Sequence, residues 1–461
     1  MIEILEQLLE LLIQLLVSFT FYYPLVMAYL WSAGAAWYYL RYELGQPRSP
    51  QLRSCPMVSI VVPCFNEEPN ISETFGHLLK MEYPNYEIIA VNDGSKDRTG
   101  PLLDEMALQH RRLRVVHHAV NQGKSIALNT AAYLARSEFI IGIDGDALLD
   151  HRAIPWFLRH FERSPRVGAV TGNPRIRTRS TLLGRLQVGE FSSMVGLIKR
   201  AQRVFYRRIF TACGVITAFR RSALHDVGYW SPDMLTEDMD MTWKLQIYGW
   251  EVLFEPNALA WILMPETLQG LWKQRLRWAM GGLQIISRYR PMFRYWCFHG
   301  MWTLLLEHML SMLWAYTTAV MLVIQLVRGL FTVAPVAFAT VLGALTPESS
   351  GSAASTEYIV VVSSGLAAAP LPSSGVESTP LYHDYSRVII ATTCLLQMLV
   401  SMLLDSRYDR NLMRYFISSI WYPLGFWMLN MLTIIVALPK LALRKRGSRA
   451  RWVSPDRGVE L

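Results

Sequence analysis

The run Phe139-Ile140-Ile141-Gly142-Ile143-Asp144-Gly145-Asp146 joins a short apolar stretch to two acidic residues separated by one glycine. Two comparable runs precede it, Met57–Val62 and Glu87–Val91, and polar residues follow each of them. Continuous apolar runs of this length are typical of strands buried on both faces, and helical patterns lie between them. The stretch 56–261 is therefore predicted to be a Rossmann-like α/β domain with a mainly parallel sheet and helices on both faces.

Acidic side chains follow two of these predicted strands. Asp144 and Asp146 end one run, and Asp93 follows another in Val91-Asn92-Asp93-Gly94. Open parallel sheets bind ligands beyond the carboxyl ends of their strands. Carboxylates suit a divalent cation that also contacts phosphate, so Asp146 is the predicted principal metal ligand, with Asp144 at the ribose or the metal. Asp93 is predicted to accept from a uracil N–H; for both motifs a solvated turn is the structural alternative.

Residues in two loops are predicted to complete a nucleotide site. Pro63, Asn66 and Glu67 open the loop after the first strand and are expected to line the base and the ribose. Lys124 follows Asn121-Gln122-Gly123 at the start of a predicted helix, where it can touch the nucleotide. A lysine at a helix start that simply faces water is the alternative for that position.

A third acidic motif, Thr236-Glu237-Asp238, opens a helical stretch that reaches residue 249. A hydroxyl that attacks a sugar must lose its proton, and a positioned carboxylate can accept it. Asp238 is therefore the predicted general base, and Glu237 is expected to orient it or to share the role. Capping of the helix by Thr236 and by acids in its first turn is the alternative, and it is compatible with catalysis.

The segment Gln274-Arg275-Leu276-Arg277-Trp278 places Gln274, Arg277 and Trp278 three and four residues apart, so that they can share a helix face. Arginine offers paired donors to a diphosphate, and tryptophan offers a flat platform to a sugar ring. An interfacial tryptophan–arginine anchor at a bilayer surface is the alternative.

Composition indicates a membrane protein. The chain has 461 residues, of which 52% are hydrophobic, and the apolar residues gather near both ends. Runs of about 20 apolar residues can cross a bilayer. The predicted spans are Phe19–Leu40, Thr303–Val327, Val388–Leu404 and Ile417–Leu438. Phe331–Leu345 is predicted to be either a further span or a surface segment, so the number of spans is open.

The charge pattern predicts an orientation. The net charge is +9, but much of the excess flanks apolar segments, so it does not indicate nucleic-acid binding. Arg41, Arg48 and Arg53 follow the first span and acids precede it, which places the N-terminus outside and the middle domain in the cytoplasm. The basic residues at 407–414 and those in the tail both indicate a cytoplasmic position. One predicted span lies between them, and a single span would place them on opposite sides of the membrane. The five scattered cysteines are predicted to be free thiols.

Taken in order, these motifs resemble those of processive family 2 glycosyltransferases, which include synthases of cellulose, chitin, hyaluronan and poly-N-acetylglucosamine. Three further stretches resemble the bacterial poly-β-1,6-N-acetylglucosamine branch: Thr171–Ser180, Trp261–Thr267 and Arg451–Gly458. The resemblance implies a GT-A fold, UDP-N-acetylglucosamine as donor, Mg²⁺ or Mn²⁺ as cofactor, and an inverting, processive reaction. It assigns Asp93 to uracil, Asp146 to the metal and Asp238 to the base.

The resemblance also implies partners and a location. These are the growing polysaccharide, the bacterial inner membrane and a small membrane partner subunit, with cyclic di-GMP regulation in one branch of the family. Chitin or hyaluronan synthesis, transfer of one sugar to a lipid carrier, and a non-catalytic transport or scaffold role are the alternatives.

The expected domains run in order along the chain. They are an N-terminal membrane segment with its linker (1–55), the GT-A domain (56–261), amphipathic interfacial helices (262–295), a C-terminal membrane region with a Ser/Ala-rich loop at 344–380 (296–440), and a basic cytoplasmic tail (441–461).

Overall fold

The computed structural model describes residues 2–47, 49–345, 381–444 and 447–450. Its strands are β1 (Val58–Cys64), β2 (Tyr86–Asp93), β3 (Leu113–His118), β4 (Phe139–Ile143), β5 (Leu148–Leu149), β6 (Val167–Ile176), β7 (Ile216–Arg220) and β8 (Glu251–Ile262). The helices up to the end of the sheet are α1 (Ile2–Tyr38), α2 (Glu68–Leu78), α3 (Thr99–Gln109), α4 (Lys124–Leu134), α5 (Ala153–Arg163), α6 (Leu182–Phe191), α7 (Ile198–Phe205), α8 (Arg221–Asp226) and α9 (Glu237–Ile247).

After the sheet come α10 (Leu268–Tyr289), α11 (His299–Leu345), α12 (Leu381–Asp405) and α13 (Tyr422–Leu443). The residues Tyr39–Glu43 and Ser192–Leu197 each form a π-helical turn. Short 3₁₀ turns cover Arg290–Arg294, Trp296–Phe298, Leu412–Tyr415 and Ile417–Trp421.

The eight strands form one sheet in the order β3-β2-β1-β4-β7-β6-β8-β5. The first four strands in this order are parallel, as are β6 and β8. β7 runs antiparallel to both of its neighbours, and β5 runs antiparallel to β8. The predicted mainly parallel sheet is confirmed, with three antiparallel pairings in its second half.

Both faces of the sheet are covered, which explains the continuous apolar runs. Along β1, Ile60 and Val62 belong to the core cluster that contains Phe75 of α2 and Phe157 of α5. The intervening Val61 points to the opposite cluster, which contains residues of α4. Because side chains alternate along a strand, a strand covered on both faces is expected to be apolar at most of its positions.

The four cysteines whose side chains are described are free thiols, as predicted: Cys55, Cys64, Cys213 and Cys394.

Three helical stretches in the described part of the chain are long and apolar enough to cross a membrane: Glu3–Glu43, His299–Val327 and Val388–Asp405. They contain the first three predicted spans. The predicted loop 344–380 and the predicted basic tail lie largely outside the described residues.

The fourth predicted span begins with the 3₁₀ turn Ile417–Trp421 and continues as the helix Tyr422–Leu443. At 22 residues this helix has the length that a bilayer span needs, and its crossing of the membrane stays a prediction. This helix, α13, packs along α10, with Phe426 against Leu271 near one end and Ala437 against Ala279 near the other. Its apolar surface is therefore partly used against protein.

Both ends of the segment 406–444 contact the sheet domain. Asp409 pairs with Arg179 just after β6, and the guanidinium of Arg444 donates to the carbonyl of Asp233 at 3.4 Å. The two basic regions that seemed to conflict in the sequence thus lie on the same side of the structure, because α13 runs along the domain between them.

A buried charge network joins the sheet to the ends of two membrane helices. Arg200 on α7 contacts Glu43 at 2.6 Å and Asp405 at 2.8 Å, and Arg175 on β6 contacts Asp405 at 2.6 Å. The hydroxyl of Tyr408 donates to Glu43 at 2.6 Å. The four charged residues are at most 2% exposed. We call these five residues the interface network.

Replacing Asp405 with asparagine should destabilise the protein, because Arg175 would lose its carboxylate partner and Glu43 would be left as the one acid beside two buried arginines. Breaking a buried ion pair from one side costs about 3–5 kcal/mol. We expect the melting temperature of the detergent-solubilised chain to fall by several degrees. Asp226→Asn, at an exposed position on α8, is the matched control, and equal melting of the two variants would contradict the role of the network.

Candidate active site

The ammonium group of Lys124 joins two of the acidic motifs. Its Nζ lies 2.5 Å from Asp144 Oδ1 and 3.3 Å from Glu237 Oε1. Lys124 is the first residue of α4, and the preceding Gly123 has a φ of +99°, which favours glycine at this turn. Burial lowers the pKa of Lys124, but the two carboxylates outweigh burial and raise it above its ordinary value. Lys124 therefore stays charged at the centre of the site.

Asp144 and Asp146 form a tight turn directly after β4, where the amide of Ala147 donates to the Asp144 carbonyl at 3.1 Å. A side chain at Gly145 would lie 3.2 Å from Glu67 Cγ and 3.3 Å from the Pro63 carbonyl. Pro63, which was predicted to open the loop, lies near the end of β1, so both the end of this strand and the loop after it pack against the back of the turn.

The carboxyl of Asp146 is electrostatically strained. Burial, followed by the negative charge of Asp144, raises its pKa to about 7, although Lys124 and Arg177 oppose this shift. Two carboxylates at a strand end provide hard oxygen ligands, and a divalent cation there would relieve their repulsion. Asp144 and Asp146 fit a cation whose remaining ligands come from phosphate and water.

Asp238 lies in the first turn of α9. Its Oδ2 accepts from the amide of Gly214 at 3.1 Å, and its Oδ1 accepts from the amide of Met239 at 2.9 Å. Thr236 occupies the N-cap position, but its side chain makes no capping hydrogen bond. The side-chain capping that the sequence allowed for Thr236 is therefore absent.

The two adjacent acids of this turn have opposite pKa shifts. Burial raises the pKa of Glu237, but the charges of Lys124 and Arg277 outweigh burial and lower it. Burial and the charge of Glu237 raise the pKa of Asp238. Neighbouring acids whose environments separate their pKa values can take different roles. Glu237 stays ionised beside Lys124, and Asp238 is the stronger proton acceptor.

Asp93 organises the loop that carries Lys124. Its Oδ1 accepts from the amide of Gln122 at 3.0 Å and lies 2.8 Å from His118 Nδ1, and its Oδ2 accepts from the amide of Gly123 at 2.8 Å. The residue is fully buried. In this structure Asp93 holds the predicted nucleotide loop, and its contact with uracil stays a prediction.

Asn66 ties the loops after β1 and β2 together. It has a φ of +55°, its amide donates to Ser95 Oγ at 3.0 Å, and its Oδ1 accepts from the amide of Lys96 at 2.9 Å. Glu67 is buried and accepts from the side chain of Asn70 at 3.1 Å. Both residues lie at the strand ends where the sequence placed them.

The helix α10 lies very close to the turn Thr236–Asp238, which carries the predicted general base and is called the base turn below. A Cβ built at Gly281 would lie 2.2 Å from Thr236 Oγ1, so only glycine lets α10 come this near. Arg277 on the same helix donates to the Leu235 carbonyl at 3.3 Å and acts electrostatically on Glu237 and Asp238. Arg277 thus belongs to the same site as the acids.

Gln274 and Trp278 line a neighbouring wall. The Gln274 amide lies 3.8 Å from Met264 Sδ. The ring of Trp278 stacks under the Arg275 guanidinium, 4.2 Å from its Cζ, and packs beside Phe191. Gln274 lies about one helical turn before Arg277 on α10, and Trp278 directly follows it.

The structure also places residues in the site that the sequence did not single out. The Gly214 amide holds Asp238, and the charge of Arg177 acts on Asp146. Arg275, inside the quoted Gln-Arg-Leu-Arg-Trp motif, pairs with the buried Glu190 at 2.5 Å and supports Trp278. Arg177 and Arg275 stood in motifs that had been noted, whereas Gly214 carried no signal.

Comparison with known proteins identifies the family. A model described as "Glycosyltransferase like family 2" matches residues 56–281. The chain is 34% identical over 451 residues to a poly-β-1,6-N-acetyl-D-glucosamine synthase of Staphylococcus epidermidis, across 96% of this chain and 98% of that protein. The chain belongs to glycosyltransferase family 2. A synthase of the same name from Staphylococcus aureus (strain COL) is 32% identical to this family 2 member over 448 residues, with the same coverage.

A solved structure supports the fold. The mannosyltransferase PcManGT from Pyrobaculum calidifontis, in complex with GDP-Man and Mn²⁺, superposes with a TM-score of 0.53 and 19% identity, over 87% of this chain and 99% of that one. At that identity the likeness shows the fold alone. The predicted GT-A fold and the prediction that the chain is a glycosyltransferase are confirmed.

Cation binding by the apoprotein should depend on pH near neutrality. Because a bound cation requires the ionised form of Asp146, whose pKa is raised to about 7, affinity should fall roughly tenfold per pH unit below that value. Mn²⁺ titration followed by electron paramagnetic resonance would measure this. Asp146→Asn should remove the pH-dependent binding, and an affinity that is constant from about pH 6 to pH 8 in the unmodified chain would contradict the assignment.

Proposed function

We propose that this family 2 enzyme polymerises N-acetylglucosamine from UDP-N-acetylglucosamine into a β-1,6-linked polysaccharide, and that its membrane helices couple synthesis to export. The observation that carries the proposal is the convergence on Lys124 of Asp144 from one motif and Glu237 from another, with Asp238 adjacent. The names of the relatives, which align over nearly the whole chain, support the sugar and the linkage.

On the donor side, the chain supplies both carboxylates and cations. A divalent cation, Mg²⁺ or Mn²⁺, held by Asp146 and Asp144 would neutralise charge on the leaving diphosphate. Lys124, which contacts Asp144 and Glu237, and Arg277, which acts on Glu237 and Asp238, would bind the same diphosphate. Pro63, Asn66 and Glu67 would line the nucleoside, in the loops at the ends of β1 and β2.

On the acceptor side, Asp238 would receive the proton of the attacking hydroxyl. The hydroxyl oxygen bonds to C1 of the donor sugar as the bond from C1 to the diphosphate oxygen breaks, and UDP leaves with the electron pair. In-line attack inverts C1 and produces the β linkage. Trp278, held by Arg275 and Phe191, would support the sugar ring near Gln274.

The proposal includes a setting. The sheet domain would face the cytoplasm of a bacterial cell, with the described membrane helices in the inner membrane. A small membrane partner subunit, with cyclic di-GMP as a regulator, is part of the proposal by family resemblance alone.

A donor assay tests the function. Membranes with the chain, alone and with a co-expressed partner, would receive UDP-N-acetylglucosamine, UDP-glucose or UDP-glucuronate with Mg²⁺, with and without cyclic di-GMP. We expect polymer from UDP-N-acetylglucosamine alone, and we expect a β-1,6-specific hexosaminidase to digest it. Polymer cut instead by chitinase would indicate chitin synthesis, and a requirement for UDP-glucuronate as a second donor would indicate a hyaluronan-type synthase. A single sugar on lipid would indicate carrier glycosylation.

Asp238→Asn tests the base. We expect polymer formation to fall by about 10²–10⁴-fold, because a positioned base contributes on this order, while UDP binding is nearly unchanged. Asp226→Asn on exposed α8 is the control and should make normal polymer. Normal synthesis by Asp238→Asn would exclude this residue as the base, and a chain with no metal-dependent UDP binding at all would favour the scaffold alternative.

A further inference from the structure

A pocket of about 590 Å³ lies where the first membrane helix meets the sheet domain. Its walls come from the end of the π-helical turn after α1, the linker that leads to β1, and the last turns of α5. Four arginines line it, Arg41, Arg53, Arg159 and Arg163, with Glu162 as the single acidic residue. The pocket is therefore strongly basic.

The acidic residue that lines the pocket, Glu162, binds the backbone of the linker. Glu162 Oε1 accepts from the backbone amides of Arg53 at 3.2 Å and Ser54 at 3.3 Å. Opposite it, the Gln46 carbonyl accepts from Arg407 at 3.2 Å, and the Gln46 side chain accepts from Asn257 at 3.2 Å. These hydrogen bonds stabilise the shape of the pocket. Because Glu162 binds backbone amides, it forms no ion pair with the arginines that line the pocket.

Three of the arginines have no carboxylate within ion-pair distance among the residues the structure describes. Arg41 stacks only over Tyr42, with 5.7 Å between Cζ and the ring centroid, and no ion pair is formed by Arg53 or Arg163. Unpaired guanidinium groups that converge on one cavity are suited to bind phosphate, which accepts two parallel N–H bonds from each.

Arg159 is the buried member of the set. It is 8% exposed, and its Nε, which has no hydrogen-bond partner in the described part of the chain, lies 3.5 Å from Glu255 Oε2. That carboxylate is shared, since it also contacts His160 at 2.7 Å and the side chain of Asn257 at 2.7 Å. Burial lowers the pKa of Arg159, Glu255 opposes this, and Arg163 lowers it further. The charge of Arg159 is only partly compensated.

The pocket is separate from the catalytic site. Its linker wall runs into the amino end of β1, whereas Asp93 and Asp144 follow the carboxyl ends of β2 and β4, which are parallel to β1. The two sites thus lie at opposite edges of the sheet. Arg41 and Tyr42 belong to the candidate span Glu3–Glu43, so one wall of the pocket is at the membrane boundary.

We propose that this pocket binds the phosphate group of an anionic phospholipid headgroup. The lipid would belong to the membrane leaflet in which the first candidate span ends, at Glu43. A free phosphate compound shares the same chemistry, but the position of Arg41 within the last turn of the span favours the lipid. Basic residues at this depth attract anionic headgroups.

Short-chain lipids test the proposal on the full chain in neutral detergent. Dihexanoyl-phosphatidylglycerol and dihexanoyl-phosphatidylcholine would be titrated separately, inorganic phosphate would form a third arm, and native mass spectrometry would measure the bound fraction. The variant is Arg53→Gln with Arg163→Gln, both at exposed positions. Arg166→Gln is the control, since it is exposed three residues beyond Arg163 and does not line the pocket. Unchanged melting temperatures would show that the variants fold.

We expect the unmodified chain and Arg166→Gln to bind the anionic lipid roughly tenfold more tightly than the zwitterionic one, and the double variant to lose this preference. A preference that survives in the double variant would place lipid binding elsewhere and overturn the proposal. Equal binding of both lipids by the unmodified chain, combined with phosphate binding that the double variant loses, would overturn the lipid assignment in favour of a free phosphate ligand. If the unmodified chain prefers the anionic lipid but makes no polymer in the donor assay, that result would count against the catalytic proposal alone.

Discussion

The interface network is the constraint on which the rest of the structure depends. Arg175 belongs to the sheet and Arg200 to a helix beside it, while Glu43 and Asp405 end two candidate membrane spans. Desolvating such charges is costly, and only mutual contact offsets the cost. The charges are satisfied only when the ends of both spans meet the sheet in one arrangement, so the catalytic domain and the membrane helices hold a defined relative position.

That position determines where α10 lies. This helix packs between the sheet domain and α13. It comes so close to the base turn that no side chain would fit between Gly281 and Thr236. Arg277 is thereby brought to acids that α9 and β4 supply from the sheet. The candidate site is thus completed by a helix that also packs against the C-terminal region.

The site itself is organised by charge. Asp144, Asp146, Glu237 and Asp238 crowd around the single ammonium of Lys124, and burial sharpens their mutual repulsion. The surplus of negative charge suits a divalent cation, and the raised pKa of Asp238 suits a proton acceptor. The same electrostatics would be unfavourable in a merely structural cluster, where paired or apolar side chains would be expected.

Much of the fold could be predicted because its signals are local. The runs that became β1, β2 and β4 are mostly apolar, since both faces of each strand are covered. β6 gave no such signal: it buries Asn173 and Arg175, and the partner of Arg175 is Asp405, 230 residues away. Composition likewise did not reveal that the helix in the predicted span Ile417–Leu438 packs along α10, because that contact joins residues far apart in the chain.

The sequence by itself determined the order of the motifs, the acids at the strand ends and the apolar segments, since each depends on neighbouring residues or on a known family pattern. Only the tertiary structure decided which groups meet. Lys124 reaches Asp144 and Glu237 because α4 and α9 begin where β4 ends, and Asp93 became the support of the Lys124 loop. Such ion pairs and hydrogen bonds join residues far apart in the chain, so they depend on strand order and helix packing, which no local pattern encodes.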